Sequence, residues 1–283
     1  MTKNHRSYHD RMVSVIIPTF NSSTTIKTCL EAIHNQSYKN YEIIVADNYS
    51  SDSTIDIAKH LKASVILHSG KPCNPASAKN TGFIHSSGDY ILFLDSDEIL
   101  EKDVLKECVK ICERGKVRMI KIPIFFIGKT FWGKCSAFWR NCHYAAHKRA
   151  TASNVPRFFI KKLLPSAPFD ENLIHGEDWE LYRRMKSMSV KEQYSISPIF
   201  HQEPVSMREI ALKNLYYAKI APLVSEHVAE KTYFHTIKYA ILTLKEALEN
   251  LPRSPLLFFG CLIILCVKAF TVSVVFLDNL FPK

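Results

Sequence analysis

Glycine is scarce in this chain: eight residues in 283, none of them in a glycine-rich run behind a strand. A backbone loop that cradles phosphates needs such a run, so that mode of nucleotide binding is missing. The first ten residues, Met1 to Asp10, are polar. Without an apolar stretch behind them they do not read as a secretory signal. The chain also lacks internal repeats, low-complexity tracts and the Lys/Arg-rich or aromatic-basic modules that bind nucleic acid, so nucleic acid is not an expected partner. Cys135, Cys142, His143 and His147 fall in no standard zinc spacing. The eight cysteines are scattered through apolar segments, which reads as buried thiols of a reducing compartment and not as a disulfide framework.

What is present is an ordinary globular balance, 47% hydrophobic and 23% charged, with 37 Lys and Arg against 27 Asp and Glu. A net charge of +10 favours anionic partners such as phosphates or an acidic lipid surface. The length suits one mixed domain with an appendage.

Val13 to Ile17 is a β-rich apolar run stopped by Pro18, as a buried parallel strand would be. Ile26, Cys29, Leu30 and Ile33 then fall at helical spacing. Ile43 to Ala46, Val65 to Leu67 and Tyr90 to Leu94 read as further strands, and Asp52 to Leu61 as a second helix. This alternation predicts an α/β fold with a mostly parallel central sheet and flanking helices, whose ligands bind beyond the carboxyl ends of the strands. Pro18-Thr19, Asp47-Asn48 and Asp95-Ser96-Asp97 each stand just past such an end. Three polar clusters should therefore converge on one crevice. Residues 117–160 mix aromatic and basic side chains without a clean period, which predicts long loops with a strand or two. Gly176 to Lys186 reads as a loop entering a helix, with Glu177 and Asp178 in the first turn.

The C-terminal part changes character. Phe234, Ile237, Ile241, Leu244 and Leu248 form a helical apolar stripe beside Lys238 and Lys245. Leu256 to Leu277 is apolar apart from Lys268 and a few small polar residues, long enough to cross a hydrocarbon core about 30 Å thick. A lysine at its centre would cost about 2.5 to 3.5 kcal/mol unless it snorkels or pairs with protein.

Asp95 and Asp97, two residues apart after a strand, can both turn to a divalent cation, and Mn²⁺ or Mg²⁺ prefers such hard oxygens together with diphosphate oxygens. A bare D-x-D pattern is weak alone, but the motifs around it are not. Val13-Ser14-Val15-Ile16-Ile17-Pro18-Thr19-Phe20-Asn21, Glu42 to Asp52, Ala78-Lys79-Asn80-Thr81-Gly82, Gly88 to Asp97 and His175-Gly176-Glu177-Asp178-Trp179-Glu180 resemble, in order, the motifs of glycosyltransferase family 2.

That resemblance implies the GT-A fold and an inverting transfer from a nucleotide-diphosphate sugar, UDP- or GDP-linked, to a hydroxyl of a lipid-linked or glycan acceptor. It places Pro18, Thr19, Asn21, Asp47, Lys79, Asp95 and Ser96 around the donor, with Asp47 accepting from a base N–H and Lys79 near the base or diphosphate. It gives Asp97, Asp95 and His201 to a Mn²⁺ or Mg²⁺ ion, Asp178 to the general base with Glu177 in support, and Arg157 and Trp179 to the acceptor. Arg140, Lys148, Arg149, Lys161 and Lys162 add charge that would suit a lipid phosphate. Asn48 and Tyr49 depart from the family pattern, which has Asp and Gly there.

The expected organisation is a polar extension over 1–11, a GT-A catalytic domain over 12–205, basic amphipathic helices over 206–252 and a membrane-associated tail over 253–283. The catalytic domain is expected in the cytoplasm, with membrane lipids as partners. A non-catalytic binding subunit on the same fold is the alternative. A sugar nucleotidylyltransferase is disfavoured because Pro18-Thr19-Phe20-Asn21 stands where its glycine loop would be.

Overall fold

The computed structural model describes residues 11–68, 74–115, 117–149, 155–173, 175–220 and 241–280. The chain divides into two compact units, and the division does not follow the linear boundaries expected above. The first comprises residues 1–124 and 154–200, the second 125–153 and 201–283.

The first unit is built on seven strands: β1 (Val13–Thr19), β2 (Tyr41–Asp47), β3 (Ser64–Leu67), β4 (Tyr90–Phe93), β6 (Met119–Lys121), β8 (Phe158–Ile160) and β9 (Glu192–Tyr194), in the order β3-β2-β1-β4-β8-β6-β9. β1, β2, β3 and β4 run parallel; β8 is antiparallel to both β4 and β6, and β6 pairs parallel with β9. The register sets Thr19 against Asp47, so the ends of β1 and β2 are level.

Helices α1 (Ile26–His34), α2 (Thr54–His60), α3 (Pro75–Ile84), α4 (Val104–Arg114) and α6 (Glu177–Ser187) flank the sheet. α1 buries Ile26, Cys29, Leu30 and Ile33, the four positions its spacing marked. The core under α3 and α6 joins Ile16, Phe83, Ile91, Phe93, Phe159, Phe169 and Leu181. α3 lies close on β1 because Gly82 has no side chain: a Cβ there would stand 2.4 Å from Ile16 Cγ2.

Two short strands, β7 (Ile124–Ile127) and β10 (Ile199–Gln202), run across the division, and β5 (Glu98–Leu100) follows the D-x-D turn.

The second unit is helical: α5 (Phe131–Arg149), α7 (Met207–Ile220), a segment over 241–249 and α8 (Pro255–Leu280). α5 is the largest departure from expectation, a 19-residue helix where loops were predicted. It spreads its packing over two clusters, Cys135 with Ile210, Cys261 and Ile264, and Cys142 with Ala247 and Phe258. Trp132, Phe138 and Trp139 border them, so apolar positions occur around much of the helix and hide the 3.6-residue period.

The amphipathic stripe is described only from Ile241 onward. There the inward face is Thr243, Glu246 and Ala247, while Ile241, Leu244 and Leu248 are exposed. Its earlier positions, Phe234 and Ile237, lie outside the described residues. Of the cysteines described, all are free thiols and only Cys266 is exposed.

Candidate active site

The loops after β1, β2 and β4 meet. Asn48 N donates to Thr19 O at 3.0 Å, Ser96 Oγ donates to Ser22 Oγ at 3.0 Å, and Leu94 N donates to Ile16 O. Pro18, Thr19, Asn21, Asp47, Asp95 and Ser96, read from separate motifs, therefore stand together at or just past the carboxyl ends of β1, β2 and β4.

Asp47 is fully buried and organises its turn: it accepts from Thr19 Oγ1 at 2.7 Å, Ser50 N at 2.7 Å and Ser50 Oγ at 2.6 Å. Sequence reasoning pointed this carboxylate at a base, whereas the structure commits three of its acceptor positions to the protein. Asn21 and Tyr49 both adopt left-handed backbone, φ 50° and 54°. Asn tolerates that region, but a tyrosine does not favour it, at a cost of about 1 kcal/mol. The family's glycine at this position has a plain reason. Asp52, which sequence reasoning did not single out, ties the β1 loop to α2 by accepting from Ser23 N and Thr54 N, each at 3.0 Å.

The second group of charges centres on Lys79. It is one of the most buried side chains in the unit, 2% exposed, and its ammonium donates to Glu177 Oε1 at 2.9 Å and Asp178 Oδ1 at 2.8 Å. Burial alone would lower its pKa, but Asp178, Glu177 and Asp95 raise it above the ordinary lysine value. Lys79 thus faces two carboxylates of α6, not open solvent. Gly176, at φ 83°, makes the left-handed turn that starts α6 and sets both acids in its first turn. The two differ in access: the Glu177 side chain is 9% exposed and that of Asp178 29%. Trp179 is exposed beside them, its ring edge-on to Tyr182.

Arg157 lies beneath the D-x-D turn. Its Nη1 donates to Asp95 Oδ2 at 3.3 Å and Glu98 Oε2 at 2.9 Å. Burial opposes the guanidinium charge, yet Glu98 and Asp95 hold its pKa above the usual value. Arg157, expected at the acceptor, here pairs with Asp95 and Glu98 of the D-x-D segment.

Glu98, directly after Asp97, was overlooked in the sequence; a third carboxylate following D-x-D was the available signal. It is fully buried, and burial pushes its carboxyl up to about 8 against the pull of Arg157. Its Oε1 and the Nε of Arg157 are buried without a hydrogen-bond partner.

Asp95 and Asp97 remain part-exposed hard-oxygen donors. Among the described residues no group of three or more His, Cys, Asp and Glu stands together as a metal site. His201 belongs to the second unit, where its ring lies 5.3 Å from that of Phe126 and its Nδ1 3.1 Å from Gln202 O and 3.7 Å from Glu203 Oε1. The donor set that is present fits Mn²⁺ or Mg²⁺ shared with diphosphate oxygens, not an all-protein cage.

The basic cluster read from sequence is likewise split. Arg157, Lys161 and Lys162 belong to the first unit, Arg140, Lys148 and Arg149 to the second, where Arg140 pairs with Glu203 at 2.9 Å. A groove of about 630 Å³ lined by Arg11, Tyr90, Glu113 and Lys161 opens at the amino end of β4, the end opposite Asp95 and Asp97.

The motif that begins on β1 and ends past β8 decides the lineage: the model of glycosyl transferase family 2 matches residues 14–165, more than half of the chain. The chain belongs to that family. Within glycosyl transferase family 2 it is 28% identical over 218 residues to GalNAc(5)-diNAcBac-PP-undecaprenol beta-1,3-glucosyltransferase of Campylobacter jejuni, covering 72% of this chain and 69% of that one. It is 40% identical over 177 residues to glycosyltransferase AglE of Haloferax volcanii, covering 59% of this chain and 58% of that protein. A Methanococcus voltae relative named as a dolichyl N-acetyl-alpha-D-glucosaminyl phosphate glycosyltransferase is 32% identical over 111 residues, 37% of this chain and 35% of its own length.

Among solved structures, S. aureus TarS 1-349 with UDP-GlcNAc superposes with a TM-score of 0.52 at 19% identity, covering 73% of this chain and 65% of that one. Glucosyl-3-phosphoglycerate synthase of Mycobacterium tuberculosis with Mn²⁺ and UDP gives 0.52 at 18%, covering 80% and 88%. The fold is the GT-A fold of these glycosyltransferases.

Proposed function

We propose that this glycosyltransferase moves a sugar from a nucleoside-diphosphate donor to the hydroxyl of a lipid-linked acceptor by single displacement with inversion. The observation that carries the reading is the placement of Asp178: partly exposed, in the first turn of α6, and fixed through one oxygen by a buried ammonium. A sugar hydroxyl attacks well only as its proton is taken, and a carboxylate so held keeps its other oxygen oriented for that proton. As the acceptor oxygen bonds to the anomeric carbon, the bond to the diphosphate oxygen breaks on the opposite side, and Asp178 receives the hydroxyl proton. Glu177 is too buried for that contact and shares Lys79 instead.

Lys79 is assigned to orienting these two acids, and Arg157 to holding Asp95. Asp95 and Asp97 would carry a Mn²⁺ or Mg²⁺ ion, which supplies neutralisation of the charge that grows on the departing diphosphate. Loops after β1 and β2, with Pro18, Thr19 and Asn21, form the nucleoside side of the site. Structures of this fold bound to UDP-GlcNAc, or to Mn²⁺ with UDP, support the donor class. Relatives named for undecaprenol- and dolichyl-linked substrates support the acceptor class. Attachment to a membrane through the C-terminal region, with the catalytic unit in the cytoplasm, would bring such an acceptor within reach.

Titrating UDP- and GDP-sugars into the full chain with and without Mn²⁺ tests the proposal. Tight binding of one of them that needs Mn²⁺, and that Asp97→Ala loses, is the expected result. Unchanged donor binding in Asp97→Ala with EDTA would overturn the metal assignment.

A further inference from the structure

The second unit carries a surface whose occupant can be named. α8 is apolar enough over Pro255–Val275 to cross a membrane by composition. Its packing argues for another arrangement. One side is docked on α5 and α7: Phe258, Cys261, Ile264 and Val275 are buried, Cys261 Sγ donates to Cys135 O at 2.9 Å, and Asn214 Nδ2 donates to Lys268 O at 3.0 Å. At 100° per residue, Lys268 falls in the middle of this inward face. Burial there lowers its pKa, with Arg140 and Lys213 of the same unit adding to the push and Glu203 opposing it.

The opposite side holds Leu256, Phe259, Leu262, Ile263, Phe270 and Val274, all exposed, with no charged residue on that arc. It runs about 27 Å along the helix axis. A contiguous apolar face of this size on a soluble surface marks an interaction site.

Spanning would carry its partners along. α5 exposes Lys134, and α7 exposes Arg208, Glu209 and Lys219. Immersing these helices with α8 would place four exposed charges at hydrocarbon depth, where each is costly. A helix docked on one side and apolar on the other is instead suited to lie in the interface plane.

Charge selects the kind of surface. The second unit holds 14 Lys and Arg against seven Asp and Glu, the first 23 against 20. Lys245 and Arg253, exposed just before α8, stand where anionic headgroups would be.

We infer that α8 lies in the plane of an anionic bilayer with its outward face in the acyl layer, and that it does not cross. This rests on the membrane attachment proposed above and sharpens its geometry. The test adds the full chain, tagged at both ends through site-specific protease sites, to preformed vesicles of phosphatidylcholine with or without phosphatidylglycerol. Binding should favour the phosphatidylglycerol vesicles, and added protease should release both tags. The double variant Phe259→Glu/Phe270→Glu should keep its helix content and donor binding, since neither side chain is buried, and lose vesicle affinity by about tenfold or more. A C-terminal tag protected inside the vesicle would overturn the in-plane arrangement while leaving attachment intact. Equal binding to both vesicle types would overturn the role given to charge. Failure to bind either, with the outward face closing a stable dimer, would overturn both readings without touching the transfer chemistry.

Discussion

The two units solve different problems with different residues. The first is a sheet with helices around it, nearly balanced in charge, and its ionisable groups face one another: Lys79 with Glu177 and Asp178, Arg157 with Asp95 and Glu98. The second is helical and basic, and it leaves large apolar side chains uncovered on α8 and on residues 241–249. Buried ion clusters cost desolvation and are retained where geometry matters more than stability. Exposed apolar faces cost solubility and are retained where something covers them. On the proposed function, the chemistry falls to the first unit and the attachment to the second.

Breaking the ion cluster should have the largest effect on stability. Lys79→Met leaves Glu177 and Asp178 without their shared cation, so we expect stability to fall by about 3 kcal/mol, and turnover of the remaining folded enzyme to fall about 100-fold. Donor affinity measured by calorimetry should stay within about threefold, a shift of under 1 kcal/mol. A large loss of donor affinity with turnover preserved would return Lys79 to the nucleotide.

A matched pair of substitutions separates the units. In Gly82→Ala the new Cβ meets Ile16 Cγ2 at 2.4 Å, and in Gly260→Ala it meets Cys135 Sγ at 2.3 Å. Each should cost about 1–3 kcal/mol in denaturant melts. Gly82→Ala should weaken donor binding, whereas Gly260→Ala should spare it and disturb vesicle binding. Equal loss of donor binding in both would refute the division of labour.

The smallest effect concerns Asp52. Burial alone would raise its carboxyl, but hydrogen bonds from Thr54 and Ser23 bring it down to about 2. A depressed carboxylate contributes stability above its unfolded value near 3.8 and loses it as pH falls toward 2. Asp52→Ala should therefore cost about 1 kcal/mol at neutral pH, and the difference from wild type should shrink in melts as pH falls toward 2 and vanish below it.

Much of the first unit was legible because its strands are short apolar runs ended by Pro18, Asp47 and Asp95, and period and punctuation agree. The ion partners were not legible. Nothing in the spacing of Lys79 and Asp178, or of Arg157 and Glu98, says that the chain folds them together; pairs 99 and 59 residues apart in sequence meet only through the sheet's crossovers. α5 escaped for the opposite reason, since a helix packed over several faces has no single stripe to find. Tyr49 shows a third limit: its left-handed φ is a property of the turn, and only the family's glycine hinted at it.

The central claim is that Asp178 takes the acceptor's proton and has no part in holding the donor. Asp178→Asn keeps the side chain's shape and removes its basicity. Initial rates and donor titrations on this one variant test the claim directly. The account predicts a turnover loss of about 10²-fold to 10⁴-fold with donor affinity nearly unchanged. Wild-type turnover in Asp178→Asn, at any donor affinity, would contradict it.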